Sequence, residues 1–170
     1  SVLEKTDYIS VEVSTEINKF FNEIYSALHE NKVVLESSIS DSDRKKIVDL
    51  LGHAGSNYRN TIYDNGFSGI KAAIGIKEIK DLTKLLLVYI DHSIDSNKRS
   101  DKLYHAYNLL TIKDNEISIS YLPEMLEGQV AVLSSGYLDS KENLEVLDAL
   151  KSSKLFREDQ YSYILYPIKI

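Results

Sequence analysis

From Ile17 the apolar residues Ile17, Phe20, Phe21, Ile24 and Leu28 recur at i, i+3, i+4, i+7 and i+11, while Glu16, Asn18, Lys19, Asn22 and Glu23 fill the opposite face. That period predicts an amphipathic helix starting near Ser14. A second helix is expected after the N-cap residues Ser40-Asp41-Ser42-Asp43, presenting Ile47, Leu50, Leu51 and Ala54; Gly52 and Gly55 should keep it short. Residues 56 to 75 mix Tyr58, Tyr63 and Phe67 with three glycines, which reads as a broken helix and a loop turning at Asn65-Gly66 and Ser68-Gly69.

Ile79, Leu82, Leu86, Tyr89, Ile90 and Ser93 then mark a long helix from Ile76 to about Ser96, and Leu85 and Leu87 widen its apolar face enough to predict burial on more than one side. After a polar bend at residues 96 to 102, the arms 107–112 and 116–121 flank Asp114-Asn115. The second arm alternates Ile117, Ile119 and Tyr121 with Ser118 and Ser120, the pattern of a β-hairpin. Two strands alone are marginal in water, so the hairpin should pack on helices.

Pro123 suits the first turn of a helix carrying Met125, Leu126, Val130 and Leu133 and stopping at Ser134-Ser135-Gly136. A last helix opens at Asp139-Ser140, where Asp139 and Glu142 have capping-box spacing, and should bury Leu144, Leu147 and Leu150. The tail 160–167 alternates weakly and reads as a strand. The expected fold class is mainly α: amphipathic helices packed with one small β-hairpin, a minor α+β component, in a single domain over residues 1–170.

Composition narrows the chemistry. The 170 residues include no cysteine, which removes disulfides, thiolate metal ligands and a thiol nucleophile. His29, His53, His92 and His105 follow no ligand spacing, so no metal and no cofactor is expected. With 26 acidic against 20 basic residues the net charge is −6, and the only basic clusters, Arg44-Lys45-Lys46 and Lys98-Arg99, are short; nucleic acid is not an expected partner. The longest apolar run, residues 85 to 90, is far below the roughly 20 residues of a membrane span, so no membrane partner is expected either. The first residues lack the basic and apolar regions of a secretory signal, which gives a cytoplasmic expectation. The absent initiator methionine fits a chain that is mature, trimmed, or a piece of a larger protein.

Three clusters after position 100 carry candidate chemistry. Tyr104, His105, Tyr107 and Asn108 offer an imidazole, two phenols and an amide that can hydrogen-bond a polyhydroxylated ligand while the rings stack on it. The alternative is that the tyrosines are core rings and His105 a satisfied buried histidine. Glu124 and Glu127, three apart on one predicted helical face, could serve as general acid and base, with Gln129 beside them and Gly128 marking close packing or ligand approach; acidic residues in a first turn also simply complement the helix dipole. Arg157, Asp159, Gln160 and Tyr163 combine a two-pronged anion contact with a sugar-walling ring, against the plainer reading of an Arg157 ion pair.

The stretches Leu103-Tyr104-His105-Ala106-Tyr107-Asn108-Leu109-Leu110, Glu124 to Gly136 and Phe156 to Pro167 resemble a segment of long bacterial proteins related to cellobiose phosphorylase and other carbohydrate-active enzymes with helical (α/α) toroids. The resemblance covers about residues 56 to 167. It implies a carbohydrate substrate, glycosyl transfer or phosphorolysis, and a chain cut from a much larger protein. The family's acid-bearing motif falls on no position here, and a toroid of about a dozen helices does not fit in 170 residues, so no catalytic role is carried over. From the residues alone, Glu127 is the candidate acid, His105 its modulator, and Arg157 the contact to a carbohydrate or phosphate ligand. A reading from another class competes: a non-catalytic helical assembly module that meets a protein partner through a surface rich in the chain's 12 tyrosines. The enzyme needs Tyr104, His105, Glu127 and Arg157 in one cleft, whereas the module can spread its tyrosines over a flat face.

Overall fold

The computed structural model describes residue 5 and residues 7–167. The order is β1 (Ser10–Ser14), α1 (Thr15–Glu30), a 3-10 turn (Lys32–Glu36), α2 (Asp41–Asn65), β2 (Lys71–Gly75), α3 (Ile76–Ser96), β3 (Asn108–Ile112), β4 (Ile117–Tyr121), α4 (Leu126–Ser134), α5 (Ser140–Lys151), β5 (Phe156–Arg157) and β6 (Ser162–Tyr163). The structure is 54% helical, a helix-dominant α+β arrangement. The strands form three antiparallel pairs, β1–β2, β3–β4 and β5–β6, where the pattern predicts one hairpin and a tail strand. Among the described residues no helix is long and apolar enough to cross a membrane. The chain divides into two compact units: one runs to Ile90 and takes in Lys113–Ile117, the other comprises Asp91–Ile112 and the chain from Ser118.

In the first unit, strand β1 passes directly into α1 at Ser14, whose hydroxyl accepts from the Ile17 N–H at 3.3 Å, an N-cap at the predicted place. Strand β2 passes in the same way into α3, and β1 pairs with it from Ser10↔Gly75 to Ser14↔Lys71. Neither strand is among the predicted elements: β2, Lys-Ala-Ala-Ile-Gly, has little alternation, whereas β1, Ser-Val-Glu-Val-Ser, does alternate and is the more legible of the two. Helix α2 corrects the expectation of a short helix: it runs 25 residues, straight through Gly52 and Gly55. A glycine costs a helix about 1 kcal/mol relative to alanine. Burial of Ile47 and Ala54 in the packing of α2 against α1 outweighs that local cost. The helix ends at Gly66 (φ 68°), and Gly69 (φ 76°) makes the second predicted turn.

Helix α3 spans the predicted residues, but burial on more than one side is not found: of its residues only Ile76 is buried, and Leu86, Leu87, Val88 and Ile90 remain exposed. A run of six consecutive apolar residues covers the whole circumference of a helix, and packing in the described unit covers only part of it.

The second unit holds two small cores. Tyr104, Val132, Leu138 and Val146 form one, and Leu103, Leu150 and Leu155 the other. Helix α4 starts at Leu126, three residues later than Pro123 suggests, because Met125 is extended and the Leu126 N–H is taken by the Leu165 carbonyl at 3.1 Å. Val130 is exposed, and the buried face carries Gln129 and Val132 instead. Helix α5 has the expected capping box, with Glu142 N–H donating to Asp139 at 2.8 Å and Asp139 N–H to Glu142 at 3.2 Å. Its inward residues are Val146 and Leu150; Leu144 and Leu147 face solvent, since the core stripe is rotated from the one the leucines mark.

Candidate functional site

The first two sequence clusters come together around the segment Leu103–Asn108, and the agent is Gln129. Its side chain is 0% exposed. Gln129 Oε1 accepts the Tyr104 N–H and Gln129 Nε2 donates to the Tyr104 carbonyl, each at 2.9 Å, so one amide side chain pairs with both backbone groups of one residue as a neighbouring strand would. Nε2 also donates to the Met125 carbonyl at 3.0 Å. One residue earlier, Gly128 permits α4 to approach this segment so closely that a Cβ at position 128 would lie 2.6 Å from Ala106 Cβ. Of the two meanings open for Gly128, close packing is the one observed.

Tyr104 is a buried core ring, and burial raises its hydroxyl pKa above the ordinary 10.0. His105 stacks on Tyr121 with ring centroids 3.9 Å apart. Its Nδ1 is enclosed and has no hydrogen-bonding partner. Burial first, and the nearby Arg99 charge second, lower the His105 pKa below 6.5. Asn108 Nδ2 donates to Asn97 Oδ1 at 2.9 Å, leaving Asn108 Oδ1 enclosed without a donor. Tyr107, in contrast, is exposed, and its hydroxyl donates to Glu127 Oε2 at 3.0 Å. That bond to Glu127 raises the Tyr107 pKa.

Glu124 stands outside α4, so it does not share a helical face with Glu127 as the i, i+3 spacing predicts. Its Oε2 lies 3.6 Å from Arg99 Nη2. Arg99 in turn holds Asp101 with two prongs, Nε to Oδ1 at 3.0 Å and Nη2 to Oδ2 at 2.7 Å, which lowers the Asp101 pKa. Arg99 and Asp101 belong to the polar bend and were not candidates in the sequence; their i, i+2 spacing is the signal that could have found them.

Arg157 repeats that geometry on the β5–β6 pair: Nε donates to Asp159 Oδ1 at 2.8 Å and Nη2 to Oδ2 at 2.7 Å. Both pKa values move accordingly, Arg157 up and Asp159 down, each chiefly through this bond. Gln160 Oε1 accepts weakly from the Ser162 hydroxyl at 3.4 Å, and Tyr163 leans on Phe156 at 5.2 Å. No hydrogen bond or ion pair among the described residues joins Arg157 to His105 or Glu127. Two cavities lie instead in the first unit, between α1 and α2, and none of the candidate residues lines either of them. Among the described residues no group of three or more His, Asp or Glu is placed to hold a metal ion.

Fold and site together define a helix-dominant α+β chain whose polar residues in the second unit are tied to one another around Leu103–Asn108 and α4. No protein-family model matches the sequence, and no curated protein matches it.

Proposed function

We propose that the second unit is a non-catalytic interaction module that docks on a protein partner through its C-terminal tyrosines. The observation that carries this reading is the course of the tail. After β6 the Ile164 N–H donates to the Leu155 carbonyl at 2.8 Å, and the Leu165 carbonyl accepts from Leu126, so the tail stitches the end of α5 to the start of α4. Along it Tyr161, Tyr163, Leu165 and Tyr166 are 76, 41, 41 and 51% exposed, and Tyr107 on β3's approach is 55% exposed. Aromatic side chains with one apolar and one polar end, held on an ordered backbone, give large contact area at low entropic cost.

The glycosyl-transfer reading has less to rest on. A general acid needs a carboxyl shielded so that it keeps its proton near neutral pH. Glu127 accepts from Tyr107 at the exposed surface, Arg157 is matched by Asp159, and the half-buried His105 stacks on Tyr121 with its Nδ1 enclosed.

The test is photocrosslinking in the source cell, with a photoreactive phenylalanine placed at Tyr163 or Tyr166 and, as controls, at Tyr8 or Tyr63 of the first unit. The reading expects one dominant adduct from the two tail positions, lost when Tyr107 and Tyr161 are both changed to Ser, and none from the controls. Equal labelling from all four positions would sink it.

A further inference from the structure

In an antiparallel pair, successive residues turn their backbone N–H and C=O groups alternately toward the partner strand and away from it. The Lys113 N–H donates to the Glu116 carbonyl at 2.9 Å and the Leu122 N–H to the Tyr107 carbonyl at 3.4 Å, so Tyr107, Leu109, Thr111 and Lys113 turn their backbone groups toward β4. Asn108, Leu110 and Ile112 therefore turn theirs to the other side, where the sheet has no third strand. Among the described residues no other hydrogen bond reaches the backbone of β3 from that side, and Leu109, Leu110 and Ile112 are exposed.

Open strand edges are ordinarily blocked by a charge, a proline, a bulge or a covering group. β1 carries Glu12, β2 begins at Lys71 and β5 ends at Arg157, while on β4 the outward Ile117 carbonyl accepts from Arg44 Nη1 at 2.6 Å. Asn108-Leu109-Leu110-Thr111-Ile112 has neither charge nor proline, and nothing described covers its edge.

We propose that β3 pairs edge to edge with β3 of a second copy of this chain, about a two-fold axis at Leu110, to make one four-stranded antiparallel sheet. This register sets every outward residue of the strand opposite an outward residue: Leu110 against Leu110, and Asn108 against Ile112 in both directions. It also places Lys113 of each copy opposite Tyr107 of the other, in a non-hydrogen-bonded pair where side chains approach most closely. The Tyr107 hydroxyl is bonded to the Glu127 carboxylate, and the Lys113 side chain is exposed, so a cation meets an anion there, twice by symmetry. That self-complementarity favours a second copy over an unrelated extended peptide. The pairing also relieves a two-stranded sheet that is marginal by itself.

The purified chain is followed by sedimentation equilibrium and amide hydrogen exchange from micromolar to near-millimolar concentration. The expected result is a reversible monomer–dimer equilibrium in which the Leu110 and Ile112 amides become protected as concentration rises, while those of Leu109 and Thr111 are protected throughout. Leu110→Lys sets two like charges face to face and should raise the dimer dissociation constant roughly tenfold or more. Lys113→Glu, outside the strand, should weaken the dimer too, and Lys113→Glu combined with Glu127→Lys should restore it. Circular dichroism confirms that each variant folds. The chain has no cysteine, so a single introduced thiol reports the register. Leu110→Cys brings two Cα atoms to about 5.5 Å, within disulfide reach, and should cross-link on oxidation; Ile112→Cys faces Asn108 and should not. A chain that stays monomeric, a dimer indifferent to Leu110→Lys, or cross-linking through Ile112→Cys as readily as through Leu110→Cys would each overturn the proposal. Tyr161, Tyr163 and Tyr166 take no part, and pairing is read on the purified chain rather than in the cell, so failure of this inference leaves the tail reading standing, and the reverse.

Discussion

Gln129 pairs with both backbone groups of Tyr104 at 2.9 Å, and this single side chain joins α4 to the segment that the sequence offers as a ligand site. Replacing Gln129 by Leu keeps the volume and leaves the Tyr104 N–H and carbonyl buried without partners. The expected loss is about 3 kcal/mol of unfolding free energy, measured by urea denaturation. A loss below about 1 kcal/mol would show that water or a neighbour replaces the pair.

Gly128→Ala poses the opposite question, because helix propensity alone favours alanine by about 1 kcal/mol. The new methyl would meet Ala106 Cβ at 2.6 Å and Ala106 Cα at 3.2 Å. Overpacking should win, with a net destabilisation of about 1–3 kcal/mol. Ala106→Gly in the same chain should restore part of it; additive losses would rule out this contact as the cause.

His105 sets an acid-sensitive element in the second unit. Its folded pKa lies below 6.5, so the folded state resists the proton that the unfolded chain accepts. Stability from this group is therefore complete above about pH 6.5 and declines as pH falls through the folded pKa. His105→Phe retains a ring against Tyr121 and removes the proton site. Its unfolding free energy should lose that part of the pH dependence, as denaturant titrations at a series of pH values will report; an unchanged pH profile would dismiss the assignment.

Glu16 gives a second acid limb, in the first unit and at lower pH. Its carboxyl drops from 4.5 to about 2 on folding, so the Ser68 bonds contribute fully above pH 4.5 and are lost as pH falls toward 2. Glu16→Gln should flatten stability between pH 4.5 and 2, and Ser68→Ala, which removes the larger of the two bonds, should flatten part of it. Wild-type behaviour in both variants would place the acid transition elsewhere.

Helices with an uninterrupted apolar period were legible, and α2, the longest, was not, because Gly52 and Gly55 interrupt its pattern. α1, α3 and α5 stand where Ser14, Ile76 and Asp139 indicate, since caps and apolar spacing act within a few residues of each other. β2 was not legible, because it has little alternation and its pairing joins residues about 60 positions apart; β1, Ser-Val-Glu-Val-Ser, carries a short local alternation, but its partner does not. The apolar stripe also misled where a polar residue is the buried one: Gln129, absent from any hydrophobic count, is the centre of α4's inner face. At the site, the sequence grouped residues around Tyr104 and Glu127 that the structure brings together, but gave no sign that Gln129 binds the Tyr104 backbone and Tyr107 binds Glu127. The Arg-x-Asp spacing of Arg99–Asp101 and Arg157–Asp159 was readable, and in both places the fold uses it as a two-pronged ion pair.

The most direct measurement is a heteronuclear NMR titration of the chain with inorganic phosphate, sugar phosphates and mono- and disaccharides. If the polar residues of the second unit serve the fold and the tyrosines serve a partner, amides in residues 104–108, 124–129 and 157–163 stay in place at millimolar ligand. Saturable shifts in all three segments with one ligand would contradict that, since they would make Glu127, His105 and Arg157 parts of a single site.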